Sequence, residues 1–423
     1  MTGFIIKGLL RDRSRSLFPF LTVALGVALA VFVDAYLRGA QDSIFDTTAR
    51  FVSGHIMVTT KARAREGASA GNEVALTNIG VIKEELNKSY PDITWVERIR
   101  FSGLLDVPDS LGSTRLQVPI TGLAIDLSST SPELNLLRLK RSLVQGHLPV
   151  KPQEVLLSEK LARRLNIVPG DRLTLISVTM NGAMAITDFY LGGTVRFGAT
   201  ALDRGMMICP IEAIRQALDM EDAASEIVGF FPNLVYDDRR AGQLAREFNA
   251  QRATAADEFS PFMQPLRDVS GLGSLIGVIF SATGLILAIF IIAMAVVLWN
   301  AGLMNSLRRY GEIGIRMAMG EPKLRIYLTL LGEAFFIGLV GSAAGTLIGL
   351  GFSYYVQRHG ISIGDMMKNA TMVMDDVLRA RIAPSSFIIG FLPGFIATFL
   401  GSAISGLGIF RRSTAALTKE LSE

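Results

Sequence analysis

The stretch Asn300–Gly320, NAGLMNSLRRYGEIGIRMAMG, is a basic segment that lies between two long apolar runs. Leu275–Trp299, before it, contains no charged residue, and Ile326–Val356, after it, contains only Glu333. An α-helix rises ~1.5 Å per residue, so each run is long enough to cross ~30 Å of hydrocarbon. The sequence therefore predicts two transmembrane helices, joined by a basic segment at one face of the membrane.

The charge of this segment predicts which face it occupies. Five basic residues lie in it or just after it: Arg308, Arg309, Arg316, Lys323 and Arg325. Lys and Arg are enriched in cytoplasmic loops, so we expect the segment to lie in the cytoplasm.

The segment itself is predicted to be a short helix. Gly320, followed by Glu321 and Pro322, is a stop signal for it. We expect an apolar edge made of Ile313, Ile315, Met317 and Met319. The opposite, charged edge would hold Arg309, Glu312 and Arg316. A solvated cytoplasmic turn with ordinary charges fits the same pattern.

The residues 308–320, RRYGEIGIRMAMG, then Glu333-Ala334 and Gly341–Gly345, resemble the signature of FtsX-like ABC transporter permeases. In that family the segment is the coupling helix, which binds a groove of a separate ATPase subunit. Glu312, Ile313, Gly314, Arg316, Ala318 and Gly320 fall on the motif, and Tyr310-Gly311 departs from it. The resemblance implies a set of ATPase-coupling residues: Arg308, Arg309, Glu312, Ile313, Gly314, Arg316, Ala318, Met319 and Gly320.

The composition is that of a membrane protein with one sizeable polar block. Of 423 residues, 50% are hydrophobic and 19% charged, and the mean hydropathy is +0.39. This excludes an ordinary soluble domain. The net charge of +4 comes from basic residues beside apolar runs, which indicates membrane topology and no nucleic-acid partner. Cys209 is the single cysteine, and the three histidines are far apart, so we expect no metal site.

The N-terminal region predicts a cytoplasmic amphipathic helix followed by the first span. Phe4–Arg15 alternates apolar and basic residues in helical fashion, and Phe18–Leu37 is apolar apart from Asp34. A cleaved signal peptide is the alternative, because Ala28-Leu29-Ala30 matches a cleavage site. The apolar run around this site is longer than a signal peptide requires, so we expect it to remain as a membrane helix.

Residues 38–267 are mixed in polarity and contain no run long enough to span a membrane. Alternating patterns predict strands at 54–59, 93–107, 114–122, 171–178, 184–197, 206–208 and 227–230. Helical patterns occur at 79–88, 133–143, 158–165, 211–218 and 237–250. Because the first span starts inside, this α+β block is expected outside the cytoplasm, with two lobes.

Two pieces of this block also resemble known permeases. Glu154–Ala162 and Val168–Leu175 look like a segment common to the extracytoplasmic domains of MacB-like and lipoprotein-releasing permeases. Ser53–Ile56 is similar to the lipoprotein-releasing (LolC and LolE type) branch. A strand start with a turn glycine fits Gly54-His55 equally well.

The predicted fold class is a membrane protein with four transmembrane α-helices and a large α+β extracytoplasmic domain between the first and second helix. The protein is expected in a bacterial inner membrane, with both termini in the cytoplasm. The predicted boundaries are 1–16 (amphipathic helix), 17–38, 271–300, 323–357 and 385–410 (spans), 39–270 (outer domain), 301–322 (coupling region), 358–384 (outer loop) and 411–423 (tail).

Small residues repeat every four positions in two of the spans. They are Gly273, Gly277 and Ser281 in the second, and Gly341, Gly345 and Gly349 in the third. Such spacing lets helix backbones approach closely in lipid, so we expect these positions to pack against other helices. Pro393 predicts a kink in the fourth span.

Two acidic residues lie within the apolar spans. Asp34 is near the outer end of its helix and is expected to reach the interface. Glu333 matches the family's acidic position and is predicted to act in packing or coupling, with simple interfacial exposure as the alternative.

No catalytic or cofactor motif is convincing. Gly360–Gly364 matches G-x-S-x-G, with His359 and Asp365 beside it, but it lies in a short loop without the strand and helix that a nucleophile elbow needs. The sequence contains no Gly-Lys dipeptide and therefore no Walker A loop, and it contains no H-E-x-x-H motif. We therefore expect a non-enzymatic subunit without a cofactor of its own, with ATP and Mg²⁺ bound by the partner ATPase.

The family resemblance implies a mechanotransmission permease. Its expected partners are a separate ABC ATPase, a second permease copy or homologue, membrane lipid, and a periplasmic carrier or adaptor. The branch resemblance favours a lipoprotein or other amphipathic cargo taken from the outer leaflet. The alternatives are MacB-like drug or peptide efflux and an FtsX-like regulator of a cell-wall hydrolase.

Overall fold

A computed structural model describes residues 13–67, 70–109, 113–252, 257–271, 310–363 and 375–407, Phe410, and short pieces of 277–300. The chain divides into two compact units. The helical unit comprises Met1–Gln41, Ile279–Ile361 and Leu378–Glu423. The α+β unit comprises Asp42–Val278 and Ser362–Val377.

The helices are numbered here in chain order. They are α1 Arg13–Thr48, α2 Lys61–Glu66, α3 Ile79–Ser89, α4 Glu133–Leu136, α5 Leu139–Ser142, α6 Glu159–Leu165, α7 Thr200–Asp203, α8 Ile211–Ala217, α9 Asp238–Gln251, α10 Tyr310–Ala318, α11 Lys323–His359 and α12 Pro384–Gly406. A π-helical turn, Ala49–Ser53, follows α1, and 3₁₀ turns occupy Asn72–Val74, Pro232–Leu234 and Leu266–Gly271.

The strands are short apart from three. They are β1 Ile56–Thr60, β2 Leu76–Thr77, β3 Thr94–Pro108, β4 Thr114–Ile125, β5 Leu143–Gly146, β6 Glu154–Ser158, β7 Arg172–Val178, β8 Met184–Val195, β9 Met206–Pro210, β10 Ala223–Ala224, β11 Glu226–Phe230, β12 Pro261–Pro265, β13 Ile361–Ser362 and β14 Val377–Leu378.

Among the described residues, three helices are long and apolar enough to cross a membrane, and they are α1, α11 and α12. The predicted span at 271–300 lies partly outside the described residues, and its described parts within 277–300 are helical. The helix α1 runs on to Thr48, past the predicted end of the first span at residue 38. The predicted amphipathic helix at 1–16 and the tail at 411–423 fall mostly or wholly outside the described residues.

The α+β unit is built on a ten-stranded mixed sheet. The strand order is β12-β1-β11-β3-β4-β9-β6-β8-β5, and β7 pairs with both β3 and β8. This double pairing closes β3, β4, β9, β6, β8 and β7 into a ring. The pairs β4–β9 and β6–β8 are parallel, and the other pairs in this sheet are antiparallel.

The largest apolar cluster lies in this unit. Its ring strands contribute fully buried side chains such as Leu105, Leu173, Phe189 and Met207. In β7 and β8, buried side chains such as Leu173 and Phe189 have more exposed neighbours on both sides, whereas β9 is buried at four consecutive residues.

Two parts of this unit differ from the sequence-based predictions. The helix predicted at 133–143 is broken into α4 and α5, since Arg138 between them has a left-handed φ of 54°. The stretch expected to be irregular after residue 255 contains β12, whose prolines Pro261 and Pro265 lie on an edge strand. Edge strands tolerate proline because one side needs no ladder hydrogen bonds.

Candidate functional site

The helix α10 and the turn after it contain most of the residues predicted to couple to an ATPase. Gly320 ends the turn with φ of 91°, and a Cβ at this glycine would meet no atom within 4 Å. The Gly320 position therefore requires backbone freedom and not space. Glu321 N donates to the Arg316 carbonyl at 3.1 Å, and Pro322 precedes the first residue of α11.

The apolar residues of α10 do not share one edge. Gly314 and Met317 are buried, whereas Ile315 is 51% exposed and Met319 is 74% exposed. Residues three apart lie on one helix face, as do residues four apart, so Gly314 and Met317 form the packed face. Ile315 and Met319 form a separate exposed face, beside exposed Ala318. The predicted single apolar edge is wrong in this respect.

The Arg316 side chain is held within the chain. Its Nε lies 2.8 Å from Glu321 Oε2, and its Nη2 donates to Glu321 Oε1 at 3.3 Å. Both side chains are half-buried. Arg316 therefore shapes the turn between α10 and α11.

The remaining predicted coupling residues are only partly described. Arg308 and Arg309 lie outside the described residues. Glu312 and Ile313 lie in the α10 backbone, and their side chains are outside the description.

The glycines of α11 pack against α1 within the helical unit. A Cβ added at Gly341 would lie 3.0 Å from the Val23 side chain, and one at Gly349 would lie 2.6 Å from the Ala28 carbonyl oxygen. Contacts this close leave room for hydrogen only, so the stripe lets the two backbones approach.

A second set of glycines, not predicted from the sequence, extends this packing to α12. A Cβ at Gly390 would clash with Val31 of α1, and one at Gly394 would clash with Val27. Gly401 lies against the backbone of Trp299, with 2.9 Å from its added Cβ to the Trp299 Cα. Gly390 and Gly394 are four residues apart, and this spacing was the signal in the sequence that could have predicted their packing.

The second-span positions give a different result. Gly273 lies outside the described residues, and a Cβ at Gly277 would meet no atom within 4 Å.

Asp34 does not reach the interface, contrary to expectation. Its side chain is 2% exposed, and its carboxylate accepts from Arg38 Nε at 3.0 Å and from the Ser386 hydroxyl at 2.7 Å. Burial of a carboxylate is tolerated here because a cation one turn later and a hydroxyl on α12 satisfy it. Glu333 lies half-buried on α11 and is engaged in a polar contact.

Two consecutive aspartates, which lie within the predicted loop 358–384, bind separate parts of the α+β unit. Asp375 Oδ1 accepts from the Thr47 hydroxyl of α1 at 3.2 Å. Asp376 Oδ1 accepts from the Thr200 hydroxyl at 2.7 Å, and Asp376 N donates to the Gly198 carbonyl at 2.6 Å. The segment therefore links the end of α1 to the loop before α7. Sequence reasoning treated it as a polar loop.

A buried carboxylate lies beside this link. Asp203 is 1% exposed, and Lys160 Nζ lies 3.7 Å from Asp203 Oδ2 and 3.8 Å from Asp376 Oδ2. Burial raises the pKa of Asp203, while a hydrogen bond from Phe197 N opposes the change. The lysine therefore offsets the charge of both aspartates.

The stretch around Ser362 has none of the geometry of a nucleophile elbow in its described part. His359 Nδ1 lies 3.1 Å from the Tyr355 carbonyl oxygen and its ring stacks on Tyr355 at 4.4 Å between centroids. Gly364 and Asp365 are outside the described residues. Among the described residues, no group of three His, Cys, Asp or Glu side chains could hold a metal ion.

Known proteins resemble parts of this chain. Residues 284–414 match the family described as "FtsX-like permease C-terminal". The macrolide export ATP-binding/permease protein MacB of Syntrophobacter fumaroxidans is 32% identical over 176 residues, which cover 40% of this chain and 23% of that protein. MacB of Brucella abortus is 28% identical over 156 residues, covering 37% of this chain and 23% of that protein.

Two further likenesses are weaker. An uncharacterized ABC transporter permease of Methanocaldococcus jannaschii is 26% identical over 140 residues, covering 33% of this chain and 35% of that protein. The periplasmic region of MacB from Actinobacillus actinomycetemcomitans has a TM-score of 0.33 and 14% identity, covering 50% of this chain and 88% of that one.

The chain is thus a multi-pass membrane protein with a large α+β unit. The sequence matches confirm the expected resemblance to FtsX-like and MacB-like ABC transporter permeases, and the family match lies in residues 284–414. The matched regions span about a quarter of the MacB proteins' length.

Proposed function

We propose that this chain is the permease subunit of an ATP-driven transporter that moves its α+β unit to extract or export an amphipathic cargo. The observation that carries the proposal is the position of α10. It lies within the matched region 284–414. Ile315 in α10 and Met319 in the turn after it are exposed, beside the ion pair of Arg316 and Glu321.

An exposed apolar pair at the end of a short helix is suited to a protein groove. Isolated apolar side chains on a surface need no partner, but two of them one turn apart on a helix present an anchor for a partner's groove. The partner that supplies this groove is proposed to be a separate ABC ATPase, which would bind ATP and Mg²⁺. The permease would contribute binding and movement and no chemistry.

The membrane orientation follows from charge. Five basic residues lie in or near α10: Arg308, Arg309, Arg316, Lys323 and Arg325. The protein is therefore proposed to lie in a bacterial inner membrane with this helix on the cytoplasmic side. The α+β unit would then lie in the periplasm, with both termini inside. A dimer of two permease copies, or of this chain and a homologue, would bring two α10 helices to an ATPase dimer.

The cargo is proposed to be a lipoprotein or another lipid-anchored molecule. The support is the similarity of Ser53–Ile56 to lipoprotein-releasing permeases. In addition, the described residues of the spans carry few charged groups that could form an ion relay. Export of a drug or peptide is the second candidate, and the sequence matches to the macrolide export protein MacB favour it.

The experiment is to purify the chain with the ABC ATPase from its native membrane and reconstitute the complex in nanodiscs. Glu312→Lys and Gly314→Trp are expected to reduce stimulation of ATP hydrolysis about tenfold or more, since each alters the helix that would enter the ATPase. Gly351→Trp is the matched control, because an added Cβ at Gly351 meets no atom within 4 Å.

Two readouts make this test decisive. Unchanged stimulation in both α10 variants, with normal folding, would contradict the proposed role of α10. Mass spectrometry of lipids and lipoproteins bound to the complex would then separate lipoprotein cargo from drug or peptide cargo.

A further inference from the structure

Within the α+β unit, the turn that follows α1 is fastened to β3 by two arginines of that strand. The helix α1 ends at Thr48 and continues as the π-helical turn Ala49–Ser53, which Gly54 terminates with φ of 63°. The last carbonyl groups of a helix have no partners within it. Here the carbonyls of residues 50, 51 and 52 accept hydrogen bonds from β3.

The first fastening residue is Arg98. Its Nη1 donates to the Arg50 carbonyl at 2.7 Å, while its Nε and Nη2 bind the Glu133 carboxylate at 2.8 and 2.9 Å. Both Arg98 and Glu133 are 0% exposed. All three donor nitrogens of the fork are therefore used in a dry site.

The second fastening residue is Arg100, two positions later on the same strand face. Its Nη2 donates to the carbonyls of Phe51 at 2.8 Å and Val52 at 2.6 Å, and its Nε binds Glu226 at 2.8 Å. The Glu226 side chain is 3% exposed. Each arginine is thus oriented by one buried carboxylate and aimed at the end of the helix.

The two arginines also suit the end of the helix electrostatically. Guanidinium groups at a helix C-terminus interact favourably with the helix dipole as well as with the free carbonyls. The receiving strand is also well anchored, because β3 pairs with β11, β4 and β7. A buried ion pair is often replaceable by apolar residues without loss of stability, so stability by itself does not explain two of them at this place.

We propose that Arg98 and Arg100 are positioning residues that transmit displacement of α1 to the sheet of the α+β unit. Through Glu133 and Glu226, each guanidinium is held in the orientation that grips the turn 49–53. This inference rests on the proposed function, because it assigns the residues through which the movement passes.

The test uses the full chain with its ATPase in nanodiscs. In the double variant Arg98→Met/Glu133→Met both charges are removed together, so no unpaired buried charge remains and the sheet is expected to stay folded. Amide hydrogen exchange in residues 49–55 should rise about tenfold or more, since the grip on the turn is lost. Residues 154–158 and 206–210 of the ring strands should keep their protection.

The transmission itself is measured with one spin label per chain. Val150, which is 83% exposed, is changed to Cys, and the distance between the two copies is measured with ADP and with ATP. The native Cys209 is fully buried, so we expect it not to react with the label. The ATP-dependent distance change is expected to fall by at least half in the double variant, while basal ATP hydrolysis stays within about twofold.

The matched control is Arg172→Met/Asp188→Met, which removes an ion pair from the β7–β8 hairpin of the same sheet. Neither exchange at 49–55 nor the distance change should respond to it. Should the double variant at 98 and 133 fail to fold, Arg100→Lys replaces it. An ammonium lacks the fork that holds a carboxylate and two carbonyls together, so this variant should show the same effects.

Two results would overturn the inference. One is unchanged exchange at 49–55 in both variants. The other is faster exchange there with an undiminished ATP-dependent distance change. A wild-type complex that shows no distance change with ATP would instead contradict the proposed function, and the exchange result would still report on the grip.

Discussion

Gly345 of α11 lies against the Ala24 carbonyl of α1, where an added Cβ would be 2.5 Å from that oxygen and 2.8 Å from the Val27 Cβ. The two helices therefore approach as closely as their backbones allow. This contact explains why the glycine stripe in α11 faces the first span.

Gly345→Leu is expected to destabilise the helical unit, because the side chain would force α1 and α11 apart. Overpacking of this kind costs ~1–3 kcal/mol. The measurement is thermal unfolding of the full chain in detergent. Gly351→Leu on the same helix should change the midpoint little, since a Cβ there meets no atom within 4 Å. Equal effects of the two substitutions would argue against the packing role.

The Asp34–Arg38 pair predicts that removing the arginine alone costs more stability than removing both partners. Arg38→Ala leaves the buried Asp34 carboxylate with the Ser386 hydroxyl and without its cation, so we expect a loss of ~3 kcal/mol or more. Asp34→Ala/Arg38→Ala should be less harmful than Arg38→Ala alone, because no buried charge is left. Unfolding midpoints of the single and double variants give the comparison, and a double variant worse than Arg38→Ala would contradict it.

His55 predicts a pH dependence of the α+β unit. The ring is buried among Phe230, Phe231 and Tyr236, and its Nδ1 accepts from the Phe231 amide at 3.0 Å. Burial lowers the pKa of His55 from 6.5 to about 4. The folded state therefore binds fewer protons than the unfolded state between these values.

Stability contributed by neutral His55 is accordingly complete above about pH 6.5 and is lost as the pH falls toward 4, by up to ~3 kcal/mol. His55→Gln should flatten this part of the curve, since glutamine does not titrate and its side-chain oxygen is an acceptor. Unfolding of the full chain in detergent at several pH values between 4 and 7.5 is the measurement. Parallel curves for wild type and variant would show that His55 is not responsible.

The Arg316–Glu321 pair predicts rescue by exchange of charges. Arg316→Glu alone should disturb the turn between α10 and α11 and reduce ATPase stimulation, because two carboxylates would face each other. Arg316→Glu/Glu321→Arg should recover much of the loss if the pair only shapes the turn. Failure of the exchange to recover stimulation, with normal folding, would indicate that the Arg316 guanidinium itself contacts the ATPase.

Local patterns predicted the secondary structure of the α+β unit well. The alternation in β3, β4, β7 and β8 placed these strands within a few residues of their observed bounds, because half of each strand is buried. The break at Arg138 could not be predicted, since a left-handed backbone conformation at an arginine does not change the periodicity of the apolar residues. The strand β12 was not predicted because it contains two prolines, which an edge strand tolerates.

Contacts between distant parts of the chain were the least predictable. The four-residue glycine spacing of α11 indicated close packing but not its partner α1. Asp34 was assigned to the interface because it lies near the outer end of its predicted span. Its hydrogen-bond partner Ser386 is 352 positions away and could not be found from the local sequence. Arg98 lies in a predicted strand and Glu133 in a predicted helix, and only the fold brings them together.

The central claim is that α10 and the α+β unit lie on opposite sides of the membrane. Cysteines are introduced one at a time, as Met319→Cys in the turn after α10 and Val150→Cys in the α+β unit. Intact cells are then treated with a maleimide that passes the outer membrane but not the inner membrane. Both sites are exposed, at 74% and 83%, and buried Cys209 serves as the unreactive background. We expect Val150→Cys to react in intact cells and Met319→Cys to react only after the inner membrane is opened. Labelling of both sites, or of neither, in intact cells would contradict the account.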